Sequence, residues 1–383
     1  MPVPPGRPPV TVAAAHVVTP GGTLAPGWLR IAGERIAAVG EGATPEPAAY
    51  RGCWALPGFI DMHVHGGGGA SFTDGGRGDA RRAAAFHRVH GTARIVASLV
   101  TAPAGELERR VAMLADLADE GVIDGIHLEG PFLSAVRCGA QDPRYLIAPD
   151  MAVFARLHAA ARGWLRMITI APELPGARDV IRAASAAGVI AAAGHTDASA
   201  EVTAGAIAGG ISHATHLFNG MRPLGHRDPG PAGALLDDQV TCEVVADGAH
   251  LHDTAIRLAA RAVGPGNLVL ITDAMAAAGM PDGTYRLGQL DVAVAGGVAR
   301  LAGNPGVIAG STATMDQVVR HAIISAGLPA SDVAAAASTT PARRLGLSAQ
   351  TGALAPGLSA DLVLLDEAFR LQTVIRAGAP VRA

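Results

Sequence analysis

The chain contains no lysine: all 30 basic residues among its 383 are arginine. That absence excludes a Schiff-base lysine, a Walker-type phosphate lysine and a carbamylated lysine bridging two metals. Cysteine is nearly as scarce. Cys53, Cys138 and Cys242 are too few and too scattered for a disulfide framework or a zinc knuckle, which suits a reducing cytoplasm. A formal net charge of -3 without a basic block argues against nucleic acid or an anionic membrane as partner. The Pro-rich start, Met1 to Pro9, carries no apolar run, and Ala-rich stretches elsewhere are broken by Arg, Asp or Gly within a turn or two. Neither a cleaved leader nor a transmembrane span is expected.

The length leaves ample chain to bury a core, and suggests two or three domain-sized units or one large barrel with an appendage. Short β-like segments at Thr11 to Val18, Gly27 to Ile31 and Arg35 to Val39 are separated by Gly and Pro turns. The same texture returns at Asp361 to Asp366 and Gln372 to Arg376. Two β-rich ends around a different middle predict a small β-sandwich domain built from both termini, residues 1–56 plus 345–383. Between them, apolar strand candidates end near His65, Val100, Glu129, Ala171, His195, His216, Asp247 and Asp273, and helical stretches such as 106–119, 151–162, 177–187 and 254–263 fall in the gaps. Eight strands alternating with helices predict an α/β fold, a (β/α)8 TIM-like barrel over 57–344. A Gly-rich stretch from Met280 to Pro305 reads as an inserted hairpin region.

Active sites of such barrels gather at the C-terminal ends of the strands. Here the first candidate strand ends in His63-Val64-His65, the third in Glu129, the fifth in His195, the sixth in His216 and the eighth in Asp273. Residues i and i+2 of a strand face the same way, so His63 and His65 can grip one metal together. A single strand-end histidine is more often a hydrogen-bonded structural residue. Four histidines and two acids on five strand ends of one barrel point instead to a metal centre.

The order HxH, acid, His, His, Asp resembles the amidohydrolase superfamily. Within it, PGFIDMHVHGGGG (57–69), HLEGPFL (127–133), GHTDA (194–198), THLFNGM (215–221), DGAH (247–250) and ITDAM (271–275) resemble the N-acetylglucosamine-6-phosphate deacetylase family over nearly the whole chain. Many amidohydrolases use the carbamylated lysine that this chain lacks; Glu129 offers a carboxylate instead. The resemblance implies that Glu129, His195 and His216 hold a principal metal with an open position for water. It leaves room for a second ion at His63 and His65, bridged by Glu129. One or two divalent ions are therefore expected, zinc first, with iron, manganese or cobalt also suited to these ligands. Asp273 is implied as general base and acid.

The same resemblance implies a phosphosugar substrate held by Ala140, Gln141, Asn219, Gly220, Arg227, His250, Ile308 and Ala309, with Arg227 on the phosphate. It also implies a homodimer. Gly220 stands where relatives carry Ala. Gln141 departs further, taking the place of a family histidine that touches substrate; an amide can hydrogen-bond a sugar hydroxyl but cannot titrate. Cys138 on that loop is read as an incidental free thiol, His252 as structural, and His127, which shares a face with Glu129, as a neighbour of the metal site. Gly66 to Gly69 has no GK[ST] behind it and reads as a tight turn rather than a phosphate loop. Two other readings remain open: an amidohydrolase acting on N-acyl-D-amino acids or cyclic amides, and an inactive scaffold.

Overall fold

The computed structural model describes residues 8–238 and 240–382; the expectation of no leader at the first seven residues lies outside them. The chain divides into two compact units. One gathers the described residues up to Asp61, Phe86–Arg94 and those from Met315 onward; the other holds Met62–Ala85 and Ile95–Thr314.

The first unit carries an eight-stranded, mostly antiparallel sheet that takes strands from both ends of the chain. Val10–Thr19 pairs antiparallel with Gly27–Ala32 and parallel with Tyr50–Pro57, which in turn pairs antiparallel with Leu362–Leu365. Period-two alternation sets its faces: Leu29 and Ile31 point inward while Arg30 and Ala32 are exposed. Val12, Leu29, Ile31, Ile36, Leu362, Leu364 and Ile375 form one apolar cluster. Tyr50–Pro57 is a strand that the sequence pattern does not announce, because Arg51 and Gly52 interrupt its apolar run.

Eight further strands form the nearly closed barrel, hydrogen-bonded in chain order: β1 (Phe59–Val64), β2 (Thr92–Leu99), β3 (Gly125–Glu129), β4 (Leu165–Ile170), β5 (Ile190–Ala193), β6 (Ile211–Ala214), β7 (Thr241–Val244) and β8 (Leu268–Leu270). The last strand meets the first through Asp273 N–H donating to His63 C=O (2.9 Å) and His65 N–H donating to Ala274 C=O (2.8 Å). All six residues of β1 are buried, including Asp61 and His63, as expected of a parallel strand covered on both faces. Crossover helices α1 (Arg77–Val89), α2 (Ala104–Asp119), α3 (Met151–Ala160), α4 (Ala177–Ala186), α5 (Ala200–Ala208), α6 (Gly230–Asp237) and α7 (Asp253–Val263) separate successive strands. His252 serves as the N-cap of α7, its Nδ1 accepting from Thr254 N–H at 3.1 Å, which is the structural role expected of it.

After β8 the expected insertion is a four-stranded antiparallel sheet made by Gly283–Leu287, Leu290–Ala295, Val298–Leu301 and Asn304–Ile308. Its Leu287, Val292, Val294 and Ala299 pack with Val100, Ala140, Met275 and Ala309. The cluster ties the loop after β3 to the segment after β8. Among the described residues, no helix is long and apolar enough to cross a membrane.

Candidate active site

The polar strand ends converge, but mostly just past the last ladder residue. His65 follows β1 by one residue, His195 and His216 follow β5 and β6 by two, and Asp273 follows β8 by three. Three of these residues have left-handed backbone: His195 (φ 46), His216 (φ 25) and Asp273 (φ 50). Non-glycine residues rarely adopt such angles, and the strain persists where the surroundings over-determine it, typically at functional sites.

Two groups of metal-ligating atoms result, His63, His65 and Asp273 in one and Glu129, His195 and His216 in the other, all buried. Glu129 joins them. Its Oε1 lies 2.9 Å from His195 Nε2 and 2.8 Å from His216 Nε2, while Oε2 lies 3.3 Å from His65 Nε2. Within the groups, His63 Nε2 is 3.0 Å from His65 Nε2, and His195 Nε2 is 3.1 Å from His216 Nε2.

These contacts fit a cation. His195 Nδ1 lies 2.9 Å from the Arg137 carbonyl, which can only accept, so Nδ1 carries the proton and a neutral ring presents a bare Nε2 lone pair to the Glu129 carboxylate. Two acceptors at hydrogen-bond distance need a proton or a metal between them. The donors are imidazole and carboxylate without thiolate, suited to zinc and to several other divalent ions. Without an ion, the charges pull on one another. Burial alone would lower His63, His65 and His195, but the carboxylates of Glu243, Asp273 and Glu129 outweigh it and carry all three above their ordinary values. Burial would likewise raise Asp273, yet the His63 and His65 imidazoles bring its carboxyl down to about 2.

Behind the cluster is a residue that the sequence reading did not single out. Glu243, on β7 and 0% exposed, accepts from His216 N–H (3.0 Å) and lies 3.1 Å from both His63 Nδ1 and His213 Nε2. Those two imidazoles overcome the cost of its burial and hold its carboxyl well below the ordinary range. A glutamate amid the apolar TCEVV of a barrel strand was the available signal, since buried acids are almost always paired. His127 forms another support: Nδ1 is 2.9 Å from Ser98 Oγ and Nε2 is 2.8 Å from Thr169 Oγ1.

A cavity of about 300 Å³ opens over the cluster, lined by His65, Glu129, His195, His216 and Asp273 together with the expected contact residues Ala140, Gln141, Asn219, Gly220, His250 and Ile308. His63 lies beneath them, fully buried, and Ala309 is buried in the apolar cluster rather than on the wall. Arg227 is exposed and stands outside the cavity. His250 is held by Asp247, with Nδ1 2.8 Å from Oδ2, and its Nε2 lies 3.6 Å from Asp273 Oδ2. Gly220 has φ +61, and a Cβ there would stand 2.8 Å from His195 Nδ1. The missing methyl therefore gives the His195 ring its place. A Cβ at Gly66 would meet Ala70 C=O at 2.3 Å, consistent with a tight turn there. Cys138 is half-buried on the loop after β3, and burial pushes its thiol up, away from thiolate chemistry.

Known proteins resemble this chain in sequence and in fold. Residues 54–381 match the model of the amidohydrolase family. The N-acetylglucosamine-6-phosphate deacetylase of Lysinibacillus sphaericus is 37% identical over 332 residues, covering 85% of each chain. The N-acetylgalactosamine-6-phosphate deacetylase of Escherichia coli O157:H7 is 35% identical over 368 residues, 94% of this chain and 96% of that one. Among solved structures, an aspartate-to-alanine variant of the Mycobacterium smegmatis N-acetyl-D-glucosamine-6-phosphate deacetylase, in complex with N-acetyl-D-glucosamine-6-phosphate, superposes with a TM-score of 0.94 at 48% identity. It covers 98% of this chain and 100% of its own.

Proposed function

The chain belongs to the amidohydrolase family, and from that premise we propose that it is a metal-dependent deacetylase that hydrolyses N-acetyl-D-glucosamine 6-phosphate to D-glucosamine 6-phosphate and acetate. The observation that supports this reading is Asp273 lining one cavity together with Glu129, His195 and His216. Those three residues would hold a divalent ion, and His63 and His65 a second; when bound, the metal would supply Lewis acidity toward the acetamide carbonyl and toward water. Asp273, buried beside the His63 and His65 imidazoles, would accept the proton of the attacking water at a carboxylate oxygen and then return it to the departing amine. His250 Nε2, fixed by Asp247 and close to Asp273 Oδ2, faces the substrate beside that carboxylate. Asn219, Gly220, Ala140 and Ile308 bound the sugar. In this reading the catalytic barrel spans 57–344 and the terminal β domain 1–56 plus 345–383.

Arg227 is the proposed phosphate anchor, as the arginine of MRPLGHRDPG in a chain without lysine. Its position outside its own cavity suits a pocket completed by a second copy, so the reading includes a homodimer, and the scarcity of cysteine supports a cytoplasmic setting. Acetate release is the test. The phosphorylated sugar should be the preferred substrate over its unphosphorylated counterpart and over N-acyl amino acids; equal kcat/KM for the two sugars would remove the phosphosugar assignment.

A further inference from the structure

The loop after β3 is fastened to the metal ligands from two directions. Ser134 N–H donates to His195 C=O at 2.9 Å, and the Arg137 carbonyl takes the His195 Nδ1 proton at 2.9 Å. The loop is itself held, since Arg137 Nε donates to Asp197 Oδ1 at 2.8 Å. Four residues beyond Arg137, the side chain of Gln141 is used at both ends. Its Oε1 accepts from Thr101 N–H at 2.8 Å, and its Nε2 donates to Glu129 Oε2 at 2.6 Å. A backbone N–H can only donate, so the amide has one possible orientation, oxygen toward Thr101 and nitrogen toward the carboxylate. Gln141 is 3% exposed, and the neighbouring Ala140 is packed into the apolar cluster of the inserted sheet, so the anchor has little freedom.

We infer that Gln141 is a positioning residue: its amide, braced on Thr101, fixes the Glu129 carboxylate with one oxygen toward each metal group. Oε1 faces His195 and His216 at 2.9 and 2.8 Å, with His63 Nε2 farther off at 3.8 Å, and Oε2 faces His65 with the Gln141 N–H upon it. A carboxylate turning freely about its last bond would lose this division. The amide is suited to the task because it offers an acceptor and a donor in fixed order and carries no charge into the cluster. The inference rests on the two-ion form of the proposed function and gives Gln141 a duty other than contact with a sugar hydroxyl. Hydrogen-bonding partners of metal ligands typically change ion affinity by about 10–100-fold when removed.

The test uses the full chain as purified and two variants, Gln141→Met, isosteric without hydrogen bonds, and Gln141→Asn, too short to span Thr101 and Glu129. Each is dialysed against zinc buffered over a range of free concentrations, and ions per chain are counted by plasma mass spectrometry, with circular dichroism reporting the fold. The unaltered chain should take up two ions. In the folded variants the free zinc needed for the second should rise tenfold or more, with a smaller change for the first. Wild-type uptake of both ions by either folded variant would overturn the inference, as would a native chain that never takes more than one. Neither result would by itself remove acetate release from the phosphosugar, so failure of the inference is distinguishable from failure of the proposed function.

Discussion

Glu243 Oε2 lies 3.1 Å from His63 Nδ1, while His63 Nε2 turns toward His65 Nε2 at 3.0 Å. The carboxylate thereby holds the proton on Nδ1 and leaves Nε2 to ligate, the usual division between a metal-binding imidazole and its outer partner. The same carboxylate accepts from His216 N–H, so one buried acid braces residues of both metal groups. Glu243→Ala is expected to lower stability by roughly 3–5 kcal/mol, in line with breaking a buried ion pair. Glu243→Gln should fold and bind the His63–His65 ion about 10–100-fold more weakly. Thermal melting and metal counting check the two outcomes, and a Glu243→Ala protein that melts like the parent would contradict the role given to this residue.

Removal of metal should cost stability as well as activity. With His195 Nε2 and Glu129 Oε1 facing each other at 2.9 Å, the folded state gains from an ion between them that the unfolded chain does not hold in place. Chelation is expected to abolish acetate release and lower Tm, and zinc to restore both. A melting temperature indifferent to chelator and zinc would count against a resident ion.

Asp247 should matter through His250. The 2.8 Å contact between its carboxylate and Nδ1 sets which imidazole nitrogen meets the substrate. Asp247→Ala is expected to lower kcat/KM by about 10–100-fold, the worth of a hydrogen bond to a charged group, with the bound metal retained. Unaltered kinetics in this variant would show that His250 needs no orienting partner.

Arg227→Met is expected to lower kcat/KM for the phosphorylated sugar by about 10–100-fold, the effect of losing a charge-assisted contact. The unphosphorylated sugar should be turned over as before. An equal loss on both sugars would assign Arg227 to structure rather than to phosphate.

Much of this site could be read from the sequence because barrel chemistry lies at strand ends, and five of the eight candidate strands close on a histidine or an acid that joins the cluster. Period-two alternation puts His63 and His65 on one face, and the acids and histidines at the other strand ends mark that face as a metal site. The left-handed backbone of His195, His216 and Asp273 could not be read, since no local pattern marks a non-glycine residue held at positive φ by its surroundings. Glu243 was hidden by its strand, which reads as apolar core with one acid in it; its partners His63, His213 and His216 lie far away in sequence. Gln141 could be recognised as a departure but not as a brace, because its partners Thr101 and Glu129 are set side by side by the pairing of β2 with β3, and the loop after β3 must fold back to reach them. The inserted sheet was visible through its Gly spacing, whereas Tyr50–Pro57 was not, its apolar run being broken by Arg51 and Gly52.

If Asp273 moves the proton in a metal-dependent deacetylation, Asp273→Asn separates that duty from metal binding. The variant should keep the ion of Glu129, His195 and His216 by metal analysis. Its acetate release from N-acetyl-D-glucosamine 6-phosphate should fall by about 10²–10⁴-fold, as expected when a proton-transfer group is removed. A metal-loaded Asp273→Asn protein that turns over at the parental rate would contradict the account.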